Sequence, residues 1–299
     1  MQRERTDLPA VKVGSGSYAQ TWPPANALKK RKPVSLDFLI EESMEQYHEA
    51  RSEHLTSHQL ADFRACPLLA RWKQIGMMAQ PDSDAYRFGR AVHVRVLEGI
   101  ERFDEDFEVG GPINEKTGRP YGTETKAFRE YAAQCSREII SVAEHEQLEQ
   151  MAGSVHRHEA ASKLLSEGRA EGVVRASYAS LKCQARIDWL NPIDGMGICD
   201  LKTCDSLDRF EADARRYGYL HQLAFYRELV AAATRIEHEC HLIAVEKRAP
   251  YRCGVWLIER DVLDATAKEN EQAMQQYEQS LEDDSWPSGF EQVRRMGAA

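Results

Sequence analysis

Asp188, Asp200 and Lys202 are the residues of this chain whose types and spacing point most directly to chemistry. They lie within ARIDWLNPIDGMGICDLKT, residues 185–203, where two short apolar runs flank the turn pairs Asn191-Pro192 and Asp194-Gly195. Such runs read as buried strands, and a buried charge normally has a partner, a metal or a chemical task. In a strand, residues 200 and 202 project from one face, so carboxylate and ammonium stand side by side while Leu201 faces the core. Asp188, at the end of the neighbouring run, can meet them. Two carboxylates beside a lysine suit metal-assisted phosphodiester hydrolysis. Oxygen ligands hold Mg²⁺, the ion polarises a phosphoryl oxygen and acidifies water, and the ammonium orients that water and offsets charge building on phosphorus. The same residues suit equally well a partly buried Asp–Lys pair with no catalysis. Acid–x–Lys triplets also arise by chance, as at Glu124-Thr125-Lys126, a polar helical stretch with no strand before it.

The elements around these residues follow from changes of pattern. Residues 1–33, rich in Gly, Ser and Pro and ending in the basic run KKRK, read as a mobile arm. The pattern is helical from LDFLIEESMEQYHEA onward. TSHQLADFRACP is a short helix with a Thr/Ser cap, apolar Leu60 and Phe63, and a stop at Pro67. YRFGRAVHVRVLEGI is another, with Gly89, His93, Val96, Leu97 and Ile100 on one face, and 122–168 continues helical. At Glu171 the grammar turns to strands: GVVRASYASL, KCQARIDWL and MGICDLKT. A long helix over roughly 206–233 follows, then strands HLIAVEK and RCGVWLIE and an acidic helix. On the helix over roughly 206–233, Tyr219, Gln222 and Tyr226 share a face with Arg215, and the Gln needs a polar partner that the catalytic strand could supply.

ARIDWL, DLKT and YGYLHQLAFY in this order, with GRAVH upstream, resemble the nuclease core of the PD-(D/E)XK superfamily, in the branch of exonuclease VIII (RecE-like) and RecB-type nuclease domains. The resemblance spans about 60–260. It implies an α/β fold with a restriction-endonuclease-like core, a mixed central sheet flanked by helices, and a helical N-terminal region. Residues 34–299 would form one nuclease domain: helices to about 168, the catalytic sheet core over about 169–260, and the acidic helix over about 261–285. By the same resemblance His93, Asp188, Asp200 and the Leu201 carbonyl bind one or two Mg²⁺ or Mn²⁺ ions, and imidazole beside carboxylates favours these over Ca²⁺. Lys202 activates water, Glu171 assists a second ion or the water, and Gln222 holds catalytic groups or phosphate. Candidates for gripping DNA are Arg87, Arg90, Arg186, Arg215, Tyr219 and Tyr226. His221 stands where the branch usually has an aliphatic residue.

The implied activity is exodeoxyribonucleolytic. One strand of linear duplex DNA is degraded 5′→3′, which leaves a 3′ overhang for recombination with a strand-annealing partner, and a ring-like homo-oligomer encircles the DNA. Rival readings are a nicking, junction or 3′→5′ nuclease on the same scaffold, an inactive DNA-end-binding protein, and a small-molecule phosphoesterase. No GxxxxGK[ST] motif occurs, so no ATP is expected. The net charge of −9 speaks against a nucleic-acid partner until its distribution is read: residues 259–284 hold nine acids against Arg260 and Lys268. Residues 64–95 carry six Lys/Arg against Asp82 and Asp84. Seven scattered cysteines form no disulfide framework and suit a reducing cytoplasm, in a bacterium or a phage-infected host. Cys66, Cys240 and Cys253 do not complete an iron–sulfur set, so no cluster is expected, and Cys183, Cys199 and Cys204 read as packing residues. No run approaches a transmembrane span, so no membrane association is expected.

Overall fold

The computed structural model describes residues 35–78, 84–193 and 196–296. The arm expected over 1–33 lies outside the described residues. The N-terminal half comprises α1 (Met44–Glu49), α2 (Ser57–Ala65), α3 (Pro67–Gln74), α4 (Asp84–His93), α5 (Ile100–Asp106), α6 (Lys126–Ala132), α7 (Val142–Arg157) and α8 (Glu159–Leu164). Four short strands interrupt it: β1 (Phe107–Val109), β2 (Ile113–Asn114), β3 (Arg119–Pro120) and β4 (Glu138–Ile140), paired β1 with β4 and β2 with β3. The stretch 122–168 is therefore not helical throughout. Two or three residues are too few to impose a period on the sequence.

The central sheet follows in β5 (Arg169–Tyr178), β6 (Leu181–Asn191), β7 (Gly197–Cys204), β8 (Cys240–Glu246) and β9 (Cys253–Leu257), in that spatial order. Within this sheet β7 and β8 run parallel and the other neighbours antiparallel. A parallel pair needs a crossover, supplied by α9 (Phe210–Arg216) and α10 (Tyr219–Thr234), and α11 (Arg260–Asp283) ends the fold. Apolar side chains cover both faces. Leu60, Phe63, Phe225, Leu229 and Met274 build one layer, from α2, α10 and α11. Ala91, Val92, Leu148, Met151 and Leu164 build the other, from α4, α7 and α8. Period-two alternation divides β7 between them: Ile198 joins the first, Cys199 and Leu201 the second.

Three local features shape the site. The β6–β7 ladder runs only through Asn191↔Gly197, Leu190↔Ile198 and Trp189↔Cys199, ending one residue before Asp188 and Asp200. Beyond it the strands fork. The free edge of β6 takes up Leu55, whose N–H donates to the Lys182 carbonyl (2.9 Å) and whose carbonyl accepts from the Gln184 N–H (2.9 Å). Thr56 then caps α2 in a reciprocal capping box with Gln59, as the sequence indicates. Second, α4 passes at His93 into a π-helical turn, Val94–Glu98. That extra residue per turn breaks the expected common face, so Val96 and Leu97 are buried and Ile100 is exposed. Third, the helix expected over 206–233 is broken at Gly218, which adopts φ 74°. Arg215 thus lies on α9 and does not share a face with Tyr219, Gln222 and Tyr226.

Candidate metal centre and catalytic groups

Where the strands part, freed backbone groups need partners, and one of them builds the site. The Leu201 N–H donates to Asp188 Oδ2 at 2.8 Å, so the side chain replaces the missing ladder bond. His93, at the end of α4, brings its Nδ1 to 3.5 Å from the same oxygen, and its ring lies near the Leu201 backbone. Glu171 lies on β5 at the position across from Asp188, between the pairs Ala170↔Trp189 and Gly172↔Ile187. Its φ of 54° is a left-handed conformation that a non-glycine residue in a strand rarely adopts. One ligand atom each from His93, Glu171 and Asp188 lie within 4.8 Å of one another.

Asp200 and Lys202 project together from β7, as alternation requires. Lys202 Nζ lies 2.6 Å from Asp200 Oδ2. This is a close charge-assisted contact, and the other oxygen of the wholly buried carboxylate, Oδ1, has no hydrogen-bond partner. Lys202 also donates to Gln222 Oε1 at 3.2 Å, Gln222 donates to the Tyr226 hydroxyl at 2.8 Å, and the ammonium sits 4.8 Å from the centre of the Tyr219 ring. The polar partner expected for Gln222 is thus supplied by β7.

Burial and crowded like charge set the titration of the site. Glu171 is pushed up to about 8, by burial first and then by Asp188, against Arg186 held 2.6 Å away. Asp188 is raised by burial despite the Lys202 ammonium and the Leu201 N–H. Burial also pushes Asp200 up to about 6, with Lys202 opposing. His93 is pushed down to about 4 by burial and then by Lys202. Burial pulls Lys202 down, yet Asp200 and Asp188 outweigh it and the net shift is upward, so the side chain stays an ammonium. Three acids that resist ionisation around one neutral imidazole are a site short of positive charge.

A divalent cation fits that deficit. Two ligands each about 2.1 Å from one ion stand at most about 4.2 Å apart, so the trio needs only a small contraction. The trio differs from the expected ligand set in one member: Glu171 stands where Asp200 was expected, because the Asp200 carboxylate is turned to Lys202.

The DNA-binding candidates fare unevenly. Arg87 pairs with Asp84 and Glu144, and Arg90 with Glu138, so both tie α4 to neighbouring elements. Arg186 is bound to Glu171 and to the Glu42 carbonyl. Arg215 is exposed on α9 beside Glu211. Tyr219 is half-buried over Lys202, and Tyr226 is too deeply buried to touch DNA; its place is beneath Gln222. His221 pairs with Glu269 of α11. Glu124-Thr125-Lys126 is an exposed helix start, capped by Thr125. Cys183, Cys199 and Cys204 are buried.

Two residues escaped the sequence reading. Arg51 lies over the Tyr47 ring (5.7 Å), its buried Nε has no hydrogen-bond partner, and no carboxylate pairs with it among the described residues. His58, in the first turn of α2, reaches solvent yet is hemmed in by surrounding chain; desolvation and then the Lys202 ammonium push it down to about 4. His58 comes within electrostatic reach of Lys202, and Arg51 of Tyr226, where Leu55 pairs with the free edge of β6, a tertiary event with no sequence signal.

No curated protein matches this chain. A crystal structure of a "Putative exonuclease" from Eubacterium rectale superposes with a TM-score of 0.63, covering 87% of this chain and 97% of that one at 17% identity, which is likeness of fold. Residues 56–296 match the family described as a PDDEXK-like domain of unknown function (DUF3799). That span includes every residue of the metal trio and the Asp200-Leu201-Lys202 strand, and the chain belongs to this family, within the PD-(D/E)XK nuclease superfamily.

Proposed function

We propose that the protein is a Mg²⁺- or Mn²⁺-dependent deoxyribonuclease acting on the ends of linear double-stranded DNA. The observation that carries this reading is the convergence of His93, Glu171 and Asp188 within 4.8 Å, beside a lysine held as an ammonium. His93, Asp188 and Glu171 would hold the ion, with Asp200 and the Leu201 carbonyl adjoining. When bound, a divalent ion supplies charge neutralisation at the phosphoryl oxygens and acidification of water. Lys202, fixed by Asp200 and Gln222, donates a hydrogen bond to the attacking water and aims its lone pair at phosphorus. The new P–O bond forms as the P–O3′ bond breaks, the attacking water gives up a proton to bulk solvent and the leaving O3′ takes one up, giving a 5′-phosphate and a 3′-hydroxyl. The ammonium also offsets the negative charge of the transition state. Arg51 and His58, from α1–α2, add cationic or hydrogen-bonding groups along the wall through which a phosphate backbone would approach.

Attack from the 5′ end, a ring of subunits around the duplex, and transfer of the 3′ overhang to an annealing protein follow from the exonuclease VIII resemblance and form part of the same proposal. Linear duplex labelled at either the 5′ or the 3′ end, and a closed circle, are incubated with Mg²⁺ and with chelator. Early release of labelled mononucleotide from the 5′ end, an intact circle and no reaction in chelator are expected. Cutting of the circle would replace the exonuclease with an endonuclease on the same scaffold. No hydrolysis of any DNA with Mg²⁺ or Mn²⁺ would overturn the reading.

A further inference from the structure

Tyr217 closes α9, and the left-handed turn at Gly218 sends the chain on into α10 with Tyr219 at its start. The two tyrosine rings lie 5.9 Å apart at 37°. Tyr219 is the inner one, against Phe210 (6.3 Å) and over Lys202. Tyr217 is the outer one, 59% exposed, so its ring contributes little to the core. The Arg216 guanidinium lies 5.7 Å from the centre of the Tyr217 ring, and no carboxylate pairs with Arg216 among the described residues. A largely exposed aromatic ring, with a guanidinium over it that no carboxylate neutralises among the described residues, therefore stands one ring away from Lys202.

Every nucleobase has a π-face, and stacking on an aromatic side chain needs no particular base. A guanidinium beside the ring adds attraction for the phosphate of the same nucleotide. A base inside a duplex already has neighbours on both faces, so only one that has left its stack can use the ring. We propose that Tyr217, flanked by Arg216, is a stacking platform for an unpaired nucleobase of the nucleotide next to the scissile phosphate. This rests on the nuclease reading and deepens it: the strand being cut is single-stranded where it enters the site, and duplex ends are frayed before hydrolysis. Tyr217 is a positioning residue; it leaves the reacting atoms to Lys202 and the acids.

The test is binding in chelator, read by fluorescence anisotropy of a labelled single-stranded oligonucleotide and of the same strand with abasic sites. Tyr217→Ala is expected to weaken binding of the base-bearing strand by about 5–150-fold, the range for loss of one stacked base, while Tyr217→Phe keeps the affinity. On the abasic strand, wild type and Tyr217→Ala should bind alike. Equal binding of the base-bearing strand by wild type and Tyr217→Ala overturns the platform, and so does an equal loss on both strands. Thermal melting of Tyr217→Ala, expected to match wild type at so exposed a position, guards against a folding defect. A wild type that shows the base-dependent difference yet hydrolyses no DNA with Mg²⁺ or Mn²⁺ refutes the nuclease and leaves the platform standing. Normal hydrolysis with no base-dependent difference does the reverse.

Discussion

Replacing Glu171 by Gln should stabilise the metal-free protein, although it removes the negative charge from a 2.6 Å contact with Arg186. Glu171 faces Asp188 across β5 and β6, and its folded pKa of about 8 stands well above the ordinary 4.5. A carboxyl raised in this way binds its proton more tightly in the folded state, so its contribution to stability is lost as pH rises from 4.5 towards 8. At pH 7 the loss has a ceiling of about 3 kcal/mol, taking 1.36 kcal/mol for each pH unit above the unfolded value. Gln keeps an oxygen for Arg186 and carries no charge, so a gain of about 1–3 kcal/mol is expected, or roughly 2–4 °C in Tm per kcal/mol. The depressed His93 works in the opposite sense between about 4 and 6.5, but wild type and variant share it and it cancels in the difference. The assay is thermal and urea unfolding in chelator from pH 4.5 to 8. The variant should melt higher at pH 7.5, the gap should close near pH 4.5, and Mn²⁺ should raise the wild type more than the variant. A variant less stable than wild type in chelator at pH 7.5 would mean that the Arg186 pair outweighs burial and the Asp188 repulsion together, and the electrostatic account of the site would fail.

Lys202→Ala should abolish hydrolysis of end-labelled duplex while DNA affinity in chelator stays within a few-fold of wild type; retained hydrolysis would remove Lys202 from its role. Gln222→Leu frees the ammonium from its 3.2 Å contact, so kcat should fall by about 10–100-fold with KM little changed, since small misplacements of reacting groups have effects of that order. A Gly197→Ala substitution meets both a left-handed φ of 56° and the carbonyl oxygen of Glu239, and should lower the urea midpoint by the equivalent of about 1–3 kcal/mol.

The sheet was legible because β-branched and aromatic runs separated by Asn-Pro and Asp-Gly pairs leave a strong local mark, and the side-by-side placement of Asp200 and Lys202 follows from strand alternation alone. The His93, Asp188 and Lys202 neighbourhood was reached through the order of motifs, since nothing local brings an α4 imidazole to a β6 carboxylate. The swap of Glu171 for Asp200 in the tight trio depends on where a ladder stops and on one left-handed residue, and periodicity carries neither. The displacement of Arg215 from the α10 face did have a signal. Gly218 follows the basic pair Arg215-Arg216, the usual ending of a helix. The buried position of Tyr226 follows from its neighbours Leu223, Phe225 and Leu229, which hold α10 against the sheet.

The fork between β6 and β7 divides the candidate groups between two strand pairs, one antiparallel and one parallel. Glu171 and Asp188 ride on the β5–β6 pair, Asp200 and Lys202 on the β7–β8 pair, and three ladder positions with the Leu201–Asp188 hydrogen bond join the two along the seam. A brief local opening at that seam would separate Glu171 and Asp188 from the ammonium and leave both apolar layers assembled. Catalysis should therefore fade in mild urea well before the circular dichroism signal does, so the working range of this nuclease would be set by a short seam and not by the strength of its core.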